Sequence, residues 1–125
     1  MQDRTNGNMP NANTATNYAI ISQPMRGLSE EEIGRTRDAA IRNLQARGYQ
    51  VLNTLFAPDE LPGPLGGQIP IRFLSKSIAT MSRCSAVYFC KGWRNARGCR
   101  IEHAVATEYG IPILYEDEEE MIGYV

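Results

Sequence analysis

Apolar and polar positions change rhythm several times along the chain, and each change marks an element. Residues 1–17, MQDRTNGNMPNANTATN, carry almost no large apolar side chain, which predicts a mobile leader or an arm that orders only against a neighbour. YAIIS (18–22) is a short apolar, β-favouring run closed by Pro24, the pattern of a buried strand. The loop QPMRGLS then reaches Ser29, and Glu32 follows at capping-box spacing. Behind it Ile33, Arg37, Ala40, Ile41 and Leu44 repeat with a helical period until Gly48 stops the helix. YQVLNT (49–54) reads as a second strand.

Residues 57–70, APDELPGPLGGQIP, hold four prolines and three glycines and predict a loop longer than most connections. Such a loop serves as a lid or binding loop, or is simply a tolerated surface insertion. Phe73 or Leu74, Ile78 and Met81 then predict a helix over 71–84, and SAVYFC (85–90) a third strand. CRIEHAVATEYG (99–110) predicts a helix with Ile101, Val105 and Tyr109 on one face and Gly110 as its stop. IPILYE (111–116) is a fourth strand, and EDEEEMIGYV closes the chain. The strands lack polar alternation, so both faces of their sheet should be covered, which predicts a parallel α/β sandwich in one domain over 18–125. In such sheets ligands bind beyond the carboxyl ends of the strands. Two of the segments expected there, QPMRG and KGWRNARG, set arginine beside glycine, which suits a ligand carrying phosphate.

Composition narrows the function classes. Hydrophobic content of 42% and charged content of 22% are those of a globular domain. A net charge of −1 supplies no basic field to attract nucleic acid or an anionic membrane. No apolar run approaches the ~20 residues that span a bilayer, and the N-terminus lacks a signal-peptide pattern. Cys84, Cys90 and Cys99 are odd in number and form no C-x-x-C, so reduced packing thiols in a cytoplasmic protein are expected. Neither metal-ligand spacing, nor a Walker loop, nor a G-x-G-x-x-G fingerprint occurs, and no metal or cofactor is expected.

The chemistry concentrates in GWRNARGCRIEHAVA (92–106). Glu102 falls in the opening turns of the last helix, where unpaired N–H groups favour an ionised carboxylate. Such a group at a ligand edge can act as a nucleophile or steady a developing cation, although position alone favours a glutamate that merely complements the helix dipole. His103, the only histidine, diverges from Glu102 by about 100° around the helix and is expected to pack in the core or an interface rather than form a dyad. Trp93 either stacks on a base or plugs the sheet end or a subunit interface. Cys99 at a helix start has a lowered thiol pKa as one reading and a packing role as the other. The acidic run 116–120 is most simply a solvated face.

The order IISQPMRG … GYQVLN … CSAVYFCKGWRNARGCRIEHAVATEYGIPILY resembles small bacterial and phage domains related to nucleoside 2-deoxyribosyltransferases. It is most similar to their uncharacterised DUF4406-like branch, whose members run Y-I-S-G-P-M at the first strand and C-D-A-V … G-W … S-R-G-A … E-H-A-x-A toward the last helix. The resemblance implies a three-layer, flavodoxin- or Rossmann-like fold with a four- to five-stranded parallel sheet. It also implies cleavage or transfer at the N-glycosidic bond of a (deoxy)nucleoside or its 5′-monophosphate. Glu102 takes the position of the nucleophile that attacks the anomeric carbon. Ser22, Met25, Gly27 and Gly98 fall on positions that cradle phosphate, with Arg26 and Arg97 as candidate anion contacts. Arg100 is a weaker candidate for the same role. Gln23 and Trp93 join them as candidate substrate contacts.

The chain departs from its relatives where their first strand has tyrosine and glycine, which are Ile20 and Gln23 here. Positions acidic in the relatives become Ser85, another candidate substrate contact, and Ser77. Three readings follow: lost catalysis, a different substrate, or replacement acids from the Asp59–Glu60 loop. The degenerate alternative is a nucleotide-binding protein of the same fold. By analogy the partner is a small nucleoside or nucleotide, the assembly a homo-oligomer, and Tyr124 or the acidic tail would border a neighbour's pocket.

Overall fold

A computed structural model describes residues 17–61 and 68–117. Four strands form one parallel sheet: β1 (Tyr18–Ser22), β2 (Gln50–Val51), β3 (Ala86–Phe89) and β4 (Ile113–Tyr115). Their spatial order is β2-β1-β3-β4. Three helices connect them: α1 (Glu30–Ala46), α2 (Ile69–Met81) and α3 (Arg97–Glu108). Single 3-10 turns at Pro58–Glu60 and Trp93–Asn95 punctuate the loops after β2 and β3.

Period-two alternation sorts the strand residues into two cores. Ala19, Ile21, Ala86, Tyr88 and Cys90 face α1, where Ala40 and Leu44 meet them. Ile20, Val87 and Phe89 face the other layer, packed against Met81 of α2 and Cys99 and Ala106 of α3. The three-layer α/β sandwich expected from the sequence is therefore present, with a four-stranded sheet among the described residues.

Most boundaries lie close to those the pattern predicts. The capping box forms: Glu32 N–H donates to Ser29 Oγ at 3.1 Å, and Ser29 N–H to Glu32 Oε1 at 3.0 Å. β2 is much shorter than 49–54, because Asn53 diverts the chain. Leu52 N–H still reaches Ala19 O at 2.9 Å, but Asn53 Oδ1 then accepts from Leu55 N–H at 3.0 Å in an Asx-type turn. α2 begins at Ile69 rather than 71, since Pro70 fits a first helical turn whose N–H groups need no intrahelical partner. α3 likewise begins at Arg97, two residues before the expected start, so Gly98 lies inside its first turn.

The chain visits β1 and β2, then crosses back to place β3 and β4 on the other side of β1. The connections thus diverge between β1 and β3, and a crevice opens beyond the carboxyl ends of these two strands.

Candidate active site

A cleft of about 1440 Å³ occupies that switch point. Its floor is the end of β1 with Ser22 and Gln23, and its walls are the loop 54–57, α2 through Pro70, Phe73 and Ser77, and the start of α3. Glu102 projects into it from α3.

Glu102 is the sixth residue of α3, one turn beyond the helix's free N–H groups, so those groups do not directly solvate it. Its partners are hydroxyls. Ser22 Oγ donates to Glu102 Oε1 at 2.5 Å, tying α3 to the end of β1. Ser77, buried on α2, engages the same carboxyl. Burial pushes the Glu102 pKa up, and the two serine hydroxyls only partly pull it back. The helix start thus does not hold the pKa of this carboxyl down: loss of water outweighs the favourable contacts and raises it.

Arg97, Gly98 and Cys99, whose N–H groups have no intrahelical partner, line the cleft, and the N-cap, Ala96, has no side-chain oxygen to satisfy them. A Cβ at Gly98 would meet nothing within 4 Å, which leaves those amides open to a ligand. Arg26, Lys91, Arg97 and Arg100 line the same cleft and are exposed. Arg100 Nη1 donates to Arg94 O at 3.0 Å and so leans toward the 3-10 turn. Met25, Leu28, Leu55, Phe56, Phe73 and Leu74 supply an apolar wall.

The remaining sequence candidates divide. Gln23 is buried, lines the cleft, and donates through Nε2 to Ile33 O at 3.2 Å, anchoring the loop to α1. Gly27 does not line the cleft; its φ of 82° instead permits the turn in which Leu28 N–H reaches Met25 O at 3.1 Å. Ser85 stands at the amino end of β3, where it donates to Asn17 Oδ1 at 2.8 Å. It is removed from the cleft by the length of the strand, because in a parallel sheet all strand starts share the opposite edge.

Trp93 is also outside the cleft. It is buried and stacks on His103 with centroids 4.0 Å apart, beside Phe89 and Tyr115, in an aromatic cluster at the sheet end. His103 packs in the same cluster, its Nε2 2.7 Å from Tyr115 Oη, and burial lowers its pKa. Burial pushes the Cys99 thiol up to about 11, which corrects the reading of a lowered pKa and leaves a packing side chain. Cys84 is likewise pushed up to about 11 and Cys90 to about 12.

The Asp59–Glu60 loop does not bring an acid to the cleft: Glu60 Oε1 accepts from Ala57 N–H at 2.5 Å, and Asp59 is exposed outside the lining. Tyr124 and residues 118–120 of the acidic run lie outside the described residues, as do leader residues 1–16. Among the described residues no three His, Cys, Asp or Glu side chains gather as a metal site, and no helix is long and apolar enough to cross a membrane.

The family model for Domain of unknown function (DUF4406) matches residues 18–115. The chain belongs to this family. No curated protein and no solved structure matches it. In this DUF4406 domain the matched span begins at β1 and ends with β4, so it carries every residue that frames the cleft.

Sequence reasoning missed three parts of the site. Ser77 reads as a lost acid, yet it sits against Glu102. Lys91 and the wall of Phe56 and Phe73 carry no motif. Arg37, on the inward stripe of α1, is buried and donates to Asn53 Oδ1 at 3.4 Å, bracing the turn that starts the 54–57 wall. An arginine at a core position of a helical repeat was the available signal for that brace.

Proposed function

We propose that this DUF4406 domain cleaves or transfers the N-glycosidic bond of a nucleoside or its 5′-monophosphate, with Glu102 as nucleophile. The observation that carries this reading is one carboxyl held by Ser22 and Ser77 in a cleft whose other charged lining residues are all cationic. The similarity of Glu102 and its surroundings to nucleoside 2-deoxyribosyltransferases supports it. In the reaction the carboxylate attacks C1′, passing through an oxocarbenium-like state that its negative charge stabilises. The base leaves, and water or a second base resolves the glycosyl ester. Arg97, with Arg26 in the same lining and the amides around Gly98, would take a 5′-phosphate. A cytoplasmic location and a homo-oligomeric assembly belong to the same proposal.

A panel of nucleosides and 5′-monophosphates assayed for free base tests it. Release is expected from at least one member, with a loss of about a thousandfold or more in Glu102→Gln, as for removal of a covalent nucleophile. Release unchanged in that variant overturns the role of Glu102.

One observation favours a second reading, a nucleotide binder without turnover. Burial moves Glu102 toward its neutral form, which is a poor nucleophile. On this reading nucleotides raise the melting temperature by binding only the folded chain, and no base is released.

A further inference from the structure

A glycosidase needs two services: a nucleophile or base at C1′, and assistance to the departing group. Among the described residues the cleft lining contains one carboxyl, Glu102, and no imidazole. The other acids nearby are engaged elsewhere. Glu60 closes on Ala57 N–H, and Glu116 accepts from Lys91 N–H at 2.8 Å, outside the lining. His103 lies in the aromatic plug with Tyr115. The remaining lining groups that carry protons are Arg26, Arg97, Arg100, Lys91 and the buried Cys99, together with hydroxyls and amides. None of these is a carboxylic acid or an imidazole, the side chains that most often protonate a leaving group.

We infer that the substrate is an N-glycoside whose base already carries positive charge through its glycosidic ring, a pyridinium or N7-alkylated purinium nucleotide, which departs without a proton from the protein. This inference rests on Glu102 acting at C1′ as proposed above. The step then balances with a single carboxylate. A Glu102 oxygen forms the bond to C1′ while the C1′–N bond breaks, and its electron pair returns to the ring nitrogen and neutralises the cationic base. Water attacks C1′, the ester C–O bond breaks toward Glu102, and one proton passes to solvent as the free sugar phosphate forms. No oxidant or further reactant is required.

The surroundings fit such a ligand. Phe73 and Leu74 supply apolar surface for a flat ring, while the arginines and the α3 amides in the same lining would take the phosphate. A cationic ring beside Glu102 also favours the carboxylate form that burial disfavours. A neutral base provides neither service.

The test uses the full chain and two matched pairs: 7-methylguanosine 5′-monophosphate against guanosine 5′-monophosphate, and their 2′-deoxy counterparts. Each pair differs by one methyl group and its charge. Base release is followed after subtraction of the spontaneous rate, with nicotinamide mononucleotide as a pyridinium probe. The expected result is a kcat/KM at least about 100-fold higher for a cationic member than for its neutral partner, the lower end of what a general acid would otherwise supply. That release is lost in Glu102→Gln. Equal or faster release from the neutral partner overturns the inference while leaving the glycosidase reading intact. Release from none of the cationic probes overturns the inference and leaves the glycosidase reading to the wider panel, whereas release that survives in Glu102→Gln removes both.

Discussion

Glu102 is costly to the fold as well as useful to the cleft. Its carboxyl is buried enough that its pKa rises above the ordinary value of 4.5, despite hydroxyls from Ser22 and Ser77. A folded-state pKa above the unfolded one means that the folded chain holds the proton longer as pH rises. Stability tied to this group is therefore fully present below the unfolded pKa and is lost as pH rises through the folded one. Glutamine has the same shape and no charge to bury, so Glu102→Gln should melt close to wild type at pH 4 and above it at pH 7. Thermal melts of both proteins across that interval check the sign, and a difference that is constant or shrinks with pH contradicts it. Glu102 was legible in the sequence through the E-H-A motif, but its protonation was not. Helix position suggested a stabilised anion, whereas burial raises the pKa against the hydroxyls of Ser22 and Ser77, which come from two other elements. The same distance in sequence concealed the opposite placements of Ser77 and Ser85. Both read as missing acids, yet one stands in the cleft and the other at the far edge of the sheet.

At the scale of elements, the succession of strands and helices and their layering were legible because the rhythm of apolar residues states them directly. The spatial order β2-β1-β3-β4 depends on pairings between distant segments and was not legible. β1 and β3 bury both faces, while β2 and β4 are less buried, and the helices pack one side against the sheet. The ends were less legible, because capping, proline and Asx geometry decide them locally, as Asn53 and Pro70 do. Two glycines at the cleft end of the sheet separate conformational need from ligand access. Gly27 has a φ of 82°, and a side chain there is strained although nothing crowds it. Gly27→Ala should therefore destabilise the fold by about 1–2 kcal/mol in denaturant melts. Gly98 has ordinary helical φ and open space around a would-be Cβ. Gly98→Ala should leave stability unchanged or raise it by up to about 1 kcal/mol, since alanine is the better helix former. Its methyl would nevertheless stand where a ligand must approach the α3 amides, so affinity for a 5′-monophosphate should fall. The opposite pairing of effects, a destabilised Gly98→Ala or a weak binder with unchanged stability at Gly27→Ala, would show that these roles are assigned the wrong way round.

Across the whole molecule the formal charge is −1, which by itself suggests indifference to anions. Folding redistributes that charge. Glu30, Glu31 and Glu32 spend their negative charge on the first turn of α1, while Arg26, Lys91, Arg97 and Arg100 converge on the cleft. The sum over the chain therefore conceals a local cationic field at the switch point, and only the topology that joins β1 to β3 reveals it. A field of exposed side chains is screened by salt, with a Debye length of about 10 Å at 0.1 M and about 3 Å at 1 M. Affinity for a 5′-monophosphate should accordingly fall as ionic strength rises from 0.05 to about 0.5 M, whereas affinity for the matching nucleoside should change little. Arg97→Ala should weaken monophosphate binding about tenfold at low salt, the loss of one charge-assisted hydrogen bond, and should flatten its salt dependence. Titration calorimetry on the pair of ligands, in wild type and variant, separates the contributions. A nucleoside as salt-sensitive as its monophosphate would place the phosphate outside this cluster, and an unchanged slope in Arg97→Ala would assign the field to Arg26, Lys91 and Arg100 instead.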